Sequence, residues 1–160
     1  MNAPTFLYFA YGSNMNPERI RHRLPEARAV GRATLHGWRL VERLYADIER
    51  AKGGRVNGVL YCVTPTELHR LDAYEGFPKV YDCLRVSVHA ELMNVEEVRY
   101  RVPAFTYVMT EAARRERNGK RYPEDYRITC AVGARYWKLP NNPFGVLQPT
   151  VEKRGWFGLW

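Results

Sequence analysis

Two short stretches of the chain carry residues whose types and spacing could do chemistry. The first is "YFAYGSNM" (8–15), where Gly12-Ser13-Asn14 follows directly on an apolar run. Glycine lets a ligand come close to the backbone, and the amides of such a turn can point at an anion. A helix opening at Asn16-Pro17-Glu18 adds the positive end of its dipole. The same three residue types are also ordinary turn formers, so the stretch equally fits a plain strand–turn–helix connection. The second stretch is "LDAYEGFPKVY" (71–81), which places Glu75 in the last turn of a helix. There the negative end of the macrodipole disfavours a carboxylate. If aromatic neighbours such as Tyr74 and Phe77 shield it from water, its pKa rises toward a value suited to proton transfer; without them it is a solvated helix-end carboxylate.

Other chemistries find little footing. Ser13 and Ser87 are the only serines, and neither sits in a nucleophile elbow. Cys62, Cys83 and Cys130 are odd in number, far apart and set in apolar patterns, which predicts core thiols in a reducing cytoplasm and no disulfide framework. The four histidines are equally scattered, and no metal-ligand spacing appears. Neither GxxxxGK[ST] nor GxGxxG is present. The net charge of +8 invites a nucleic-acid reading. Its distribution argues otherwise, because the most basic stretch, 111–127, mixes six basic with four acidic side chains. No specific nucleic-acid site is expected; the field favours small anionic substrates. No apolar run approaches the roughly 20 residues that span a bilayer, and no signal peptide or membrane association is expected.

The elements that must position these residues follow from pattern. Residues 6–11 read as a buried strand. Asn16, Pro17 and Glu18 read as N-cap, first helical position and early acid of a short helix that Pro25 stops. Residues 27–45 suggest one or two strands broken near Gly31 and Gly37. A polar loop is expected over 46–55 and a strand over 56–63. "TPTE" (64–67) is a capping box that starts a helix with Leu68 and Leu71 inward and Gly76 as its left-handed stop. Leu84, Val86 and Val88 alternate along a strand at 81–92, with 97–110 as its hairpin partner. A basic loop then leads to Pro123, which opens a helix carrying Tyr126, Ile128, Ala131 and Val132 and ending before Pro140. Strands with long connections and three helices predict an α+β fold, a small closed or partly closed β-barrel with flanking helices. Residues 1–140 form the domain. Residues 141–160 are a tail whose Trp156, Phe157, Leu159 and Trp160 pack on this chain or on a second subunit, or fray.

In that order, "YFAYGSNM", "LDAYEGFPKVY" and "YPEDYRITCAVGARYWKLP" resemble the gamma-glutamylcyclotransferase-like (AIG2-like) family over about residues 6–140. The resemblance implies a small barrel-like α+β fold and release of 5-oxoproline from a small gamma-glutamyl compound, with neither metal nor nucleotide as cofactor. It implies Glu75 as the catalytic acid/base. Tyr8, Phe9, Ala10, Tyr11, Gly12 and Ser13, with Asn14 beside them, match the substrate-binding loop. Tyr126 matches a substrate-contacting tyrosine, although its helix position also suits packing. Gamma-glutamyl amino acids are the leading substrates, with gamma-glutamylamines and gamma-glutamyl-protected metabolites as alternatives. A non-catalytic binding module of the same fold is the competing class, and the tail makes a homodimer worth testing.

Overall fold

The computed structural model describes residues 3–91, 99–145 and 147 of the 160-residue chain. Its strands are β1 (Phe6–Ala10), β2 (Arg28–Arg43), β3 (Tyr45–Val63), β4 (Tyr81–Glu91) and β5 (Arg99–Met109). Among the described residues four α-helices join them: α1 (Pro17–Arg23), α2 (Pro65–Glu75), α3 (Glu111–Arg117) and α4 (Glu124–Tyr136). The strands close into a barrel in the order β1-β3-β2-β4-β5. All neighbours are antiparallel except at the seam, where β1 lies parallel to β5 with Tyr8 opposite Phe105. That seam is short, and the fully buried Thr106 reinforces it by donating its hydroxyl to the Phe9 carbonyl at 2.8 Å. The expected α+β barrel is the fold observed.

Phe9, Ile48, Val59, Leu60, Leu71 and Val88 fill the interior with no exposed surface. Along β2 burial alternates, as a strand with one inward face requires, while the end of β1 and residues 58–61 of β3 are buried on both faces because the helices cover the barrel there. Gly58 is required by this packing: a Cβ there would sit 2.3 Å from the Ala10 carbonyl oxygen and 2.7 Å from the Phe9 ring.

Local signals set the helix starts. The Asn16 side chain accepts from the backbone N–H groups of Glu18 and Arg19, with Pro17 at the first position of α1. Thr64 and Glu67 form the full reciprocal capping box of α2, and Gly76 closes it at φ 66°. Glu67 also accepts from the Glu26 N–H at 2.8 Å, which pins the segment after α1 to the start of α2.

Two expectations are corrected. Residues 46–55, read as a polar loop, belong to β3, which pairs with β2 as one long hairpin turning at Leu44. What holds this polar stretch is an ion cluster. The fully buried Asp47 accepts from Arg43 at 2.7 Å, from Arg114 at 2.9 Å and from the Met109 N–H at 2.8 Å. The breaks anticipated near Gly31 and Gly37 occur as register shifts within a continuous β2. The second correction is α3, inside the stretch expected to be a basic loop. Thr110 caps it through the Ala113 N–H, Ala113 is buried, and arginines occupy its last turn. Along α4 the inward residues are Cys130, Ala131, Gly133 and Ala134, while Ile128 and Val132 face out. The aromatic cluster expected at 156–160 lies outside the described residues.

Candidate active site

At one end of the barrel an open cavity of about 560 Å³ is lined by Tyr8, Tyr11, Gly12, Ser13, Asn14, Glu75 and Tyr126, among others. The two chemically suggestive stretches therefore meet, although about sixty residues separate them in sequence. Phe9 and Ala10 do not line it; both are buried in the core cluster. This follows from strand alternation and the end of β1, which turn Tyr8 and Tyr11 to the cavity while Phe9 fills the barrel.

The loop after β1 is a single 3-10 turn over Ser13–Met15, and α4 clamps it. The Trp137 indole N–H donates to the Met15 carbonyl at 3.0 Å, and the Asn16 amide donates to the Thr129 carbonyl at 3.2 Å. At Gly133 a Cβ would lie 2.6 Å from the Asn16 nitrogen, so the helix approaches the loop as closely as backbone allows. Gly12 is constrained less severely, because a Cβ there would come within 2.9 Å of the Tyr126 hydroxyl oxygen, a side-chain end and not backbone. That hydroxyl accepts from the Ala46 N–H at 3.0 Å, and the Tyr126 ring packs edge-on to Tyr45. Tyr126 thus both packs and faces the cavity.

Glu75 is delivered by the last turn of α2. One turn earlier Asp72 accepts from the Tyr107 hydroxyl at 2.6 Å, tying the helix end to β5. Half-buried Glu75 makes no hydrogen bond or ion pair among the described residues, so its carboxyl is left to the cavity. Desolvation raises its pKa from 4.5 to about 7, with nearby Arg23 pulling the other way. Of the two aromatic residues anticipated beside it, Tyr74 is 51% exposed but lines the cavity, while Phe77 is 43% exposed and does not. Tyr8, Tyr11 and Tyr81 line the same cavity. Burial, and in each case the Glu75 charge, pushes their phenols well above the ordinary value of 10. Tyr11 donates to the Tyr107 carbonyl and Tyr81 to the Ala46 carbonyl at 2.8 Å, which fixes both rings.

Sequence reasoning did not select Arg19, Arg23 or Arg117, which also line the cavity. Arg19 and Arg23 were findable, since they sit four apart on the helix that follows the loop. Arg117 and Tyr45 arrive through α3 and the long hairpin, which the sequence did not disclose, whereas Tyr81 opens the expected strand β4 at the end of the second stretch. Among the described residues no cluster of three or more His, Cys, Asp or Glu could hold a metal ion, and no helix is long and apolar enough to cross a membrane.

A closed five-stranded barrel with one raised carboxyl facing a glycine-containing turn defines a class of small α+β proteins with an open cavity at the barrel end. Within it, the chain belongs to the family described as "Gamma-glutamyl cyclotransferase, AIG2-like", whose model matches residues 8–127. It is 35% identical to a gamma-glutamylcyclotransferase of Mus musculus over 97 residues, 52% of this chain and 52% of that protein. The chain thus spans about half the length of that curated relative. Among solved structures it is similar to one titled gamma-glutamyl cyclotransferase, with a TM-score of 0.69 and 26% identity over 86% of this chain and 82% of that one. It is also similar to an uncharacterized Homo sapiens protein, with a TM-score of 0.72 and 27% identity over 88% and 84%.

Proposed function

We propose that the protein is a gamma-glutamylcyclotransferase, with Glu75 as its general acid/base. The observation that carries this reading is the shared cavity: an unpartnered carboxyl raised to about 7 faces the loop at residues 11–14. In this mechanism the loop holds the alpha-carboxylate and folds the gamma-glutamyl chain back on itself. The neutral alpha-amine attacks its own gamma-carbonyl carbon, forming the ring C–N bond. Glu75 takes the proton that the amine sheds and returns it to the leaving nitrogen as the original amide bond breaks. The products are 5-oxoproline and a free amine, and the atoms balance without water.

The substrate carries its own nucleophile, so the protein needs none. Orienting an intramolecular attack contributes roughly 7–11 kcal/mol, while general acid/base transfer adds roughly 10²–10⁴-fold. Folding the substrate is therefore the larger effect. Half-buried Arg19, Arg23 and Arg117 line the cavity, and none is ion-paired to a carboxylate among the described residues. Against Glu75 and Asp125 in the same lining, the three arginines leave a positive excess, which favours substrates whose leaving group bears its own carboxylate, gamma-glutamyl amino acids or peptides, over simple gamma-glutamylamines.

The test is a panel of gamma-glutamyl amino acids, peptides and amines with 5-oxoproline measured directly. Release from the amino acids, abolished in Glu75→Gln while ligand still binds, is the expected result. Absence of 5-oxoproline across the panel, or near-normal turnover in that variant, rejects the reading.

A further inference from the structure

A chain of hydrogen bonds beside Glu75 has a direction that donor chemistry alone dictates. Arg23, in the last turn of α1, places Nη1 2.9 Å from Asn14 Oδ1. Asn14 Nδ2 lies 3.0 Å from the Tyr8 hydroxyl oxygen. The face of an asparagine amide is set by its partners, since oxygen and nitrogen differ little in shape. A guanidinium has five donors and no acceptor, so the Asn14 atom facing Arg23 must be the oxygen. The Asn14 nitrogen must then face Tyr8, and as a donor it obliges the Tyr8 oxygen to accept. The hydroxyl's own proton is left without a partner among the described residues. Tyr8 lines the cavity and lies close enough to Glu75 for that charge to raise its phenol further.

From this we infer that Arg23 is a positioning residue. By fixing the Asn14 amide it makes Tyr8 present its hydroxyl proton to the cavity as a hydrogen-bond donor. Asn14 and Tyr8 are 3% and 4% exposed, so water does not compete freely for either group. The Arg23 guanidinium is held in turn by stacking 4.9 Å over the Tyr74 ring, next to Glu75 in α2. The phenol stays protonated at working pH, so it donates a hydrogen bond and does not shuttle a proton. Its target is an oxygen that gains negative charge, which in the reaction above is the gamma-carbonyl oxygen during ring closure. This inference rests on the cyclotransferase reading of the same site.

The direction of the chain yields unusual expectations. Asn14→Asp is nearly isosteric, yet a carboxylate only accepts, so it would still bind Arg23 but capture the Tyr8 proton. Arg23→Gln offers Asn14 a donor or an acceptor and so no longer dictates its orientation, whereas Arg23→Lys offers donors only. Steady-state release of 5-oxoproline from gamma-glutamyl-L-alanine above pH 8, where Glu75 is ionised throughout, is the measurement. Tyr8→Phe and Asn14→Asp are each expected to lower kcat by roughly 10- to 100-fold, with little change in KM. The double variant is expected to match Tyr8→Phe alone, because both remove one hydroxyl donor. Arg23→Lys is expected to recover most of what Arg23→Gln loses. Wild-type kcat in Asn14→Asp, a double variant showing the product of the single effects, or equal loss in Arg23→Gln and Arg23→Lys overturns the inference. If the unaltered protein releases no 5-oxoproline from any gamma-glutamyl compound, the proposed activity fails, and the relay is judged separately. Protein carrying ¹³C at the tyrosine Cζ reports hydroxyl bonding: Asn14→Asp should move the Tyr8 resonance and Arg23→Lys should not. An unmoved resonance in Asn14→Asp overturns the relay on its own.

Discussion

At the scale of single residues, the proposed mechanism makes Glu75 couple activity to stability through one proton. Its folded pKa of about 7 lies above the ordinary 4.5 because the cavity desolvates the charged form. Below pH 4.5 the carboxyl is neutral in both folded and unfolded chains and costs nothing. Between 4.5 and 7 the unfolded chain releases the proton first, so stability falls as pH rises, and the full penalty is present above 7. At ~1.4 kcal/mol per pKa unit the rise corresponds to about 3.5 kcal/mol, which solvent at the cavity mouth screens to something on the order of 2–3 kcal/mol. Glu75→Gln stays neutral throughout. Its melting temperature should therefore match the unaltered protein near pH 4 and exceed it at pH 8, while 5-oxoproline release is lost. Catalysis carries the mirror-image dependence. A base that must be ionised makes kcat/KM fall below pH ~7, and the buried tyrosines, pushed far upward, add no second transition near neutrality. Equal thermal stability of the two proteins at pH 8 would contradict a desolvated Glu75.

At the scale of elements, the site depends on how closely α4 approaches the loop after β1. Alanine is a better helix former than glycine by roughly 1 kcal/mol, so Gly133→Ala would help an isolated α4. Here the added methyl meets the Asn16 nitrogen at 2.6 Å and the Met15 carbonyl carbon at 2.7 Å, both backbone atoms that cannot swing away. Overpacking of this kind costs about 1–3 kcal/mol, so the net effect should be destabilising, with KM raised because the loop is displaced. Urea unfolding and kinetics on that variant measure both. The hairpin tip makes a second case. Asp47→Asn keeps the volume but removes the charge that compensates Arg43 and Arg114, a change expected to cost about 3–5 kcal/mol in urea unfolding. These two positions also show where the sequence was legible. The capping bonds of Asn16, Thr64, Glu67 and Gly76 reach neighbours within four residues, so the boundaries of α1 and α2 were readable. Besides nearby Arg43, Asp47 is held by Arg114 and the Met109 N–H more than sixty positions away, and a polar stretch held by such distant partners looks like a loop. Glu75, Tyr8, Tyr11 and the 11–14 loop were readable as candidates, but nothing local marked Tyr81, at the start of β4, as lining the same cavity.

At the scale of the whole molecule, charge and cavity act in the same direction. The chain carries a net charge of +8, and three of its arginines line the site. A surface of mixed sign with a diffuse positive excess attracts anions weakly at long range, while a concave site with low-dielectric walls concentrates that field. A gamma-glutamyl amino acid near neutral pH has two carboxylates and one ammonium; a gamma-glutamylamine with an uncharged leaving group has one of each. Only the first is a net anion, so only its capture should be strongly screened by salt. With a Debye length of about 10 Å at 0.1 M and 3 Å at 1 M, added salt removes the long-range part and leaves direct contacts in place. Raising sodium chloride from about 0.02 to 0.5 M should therefore lower kcat/KM for gamma-glutamyl-L-alanine several-fold, through KM. Gamma-glutamylethylamine should respond much less, and kcat for either should hardly move. A salt response of the same size for both compounds would mean that the positive lining acts on the glutamyl half they share, and the preference for an anionic leaving group would have to be abandoned.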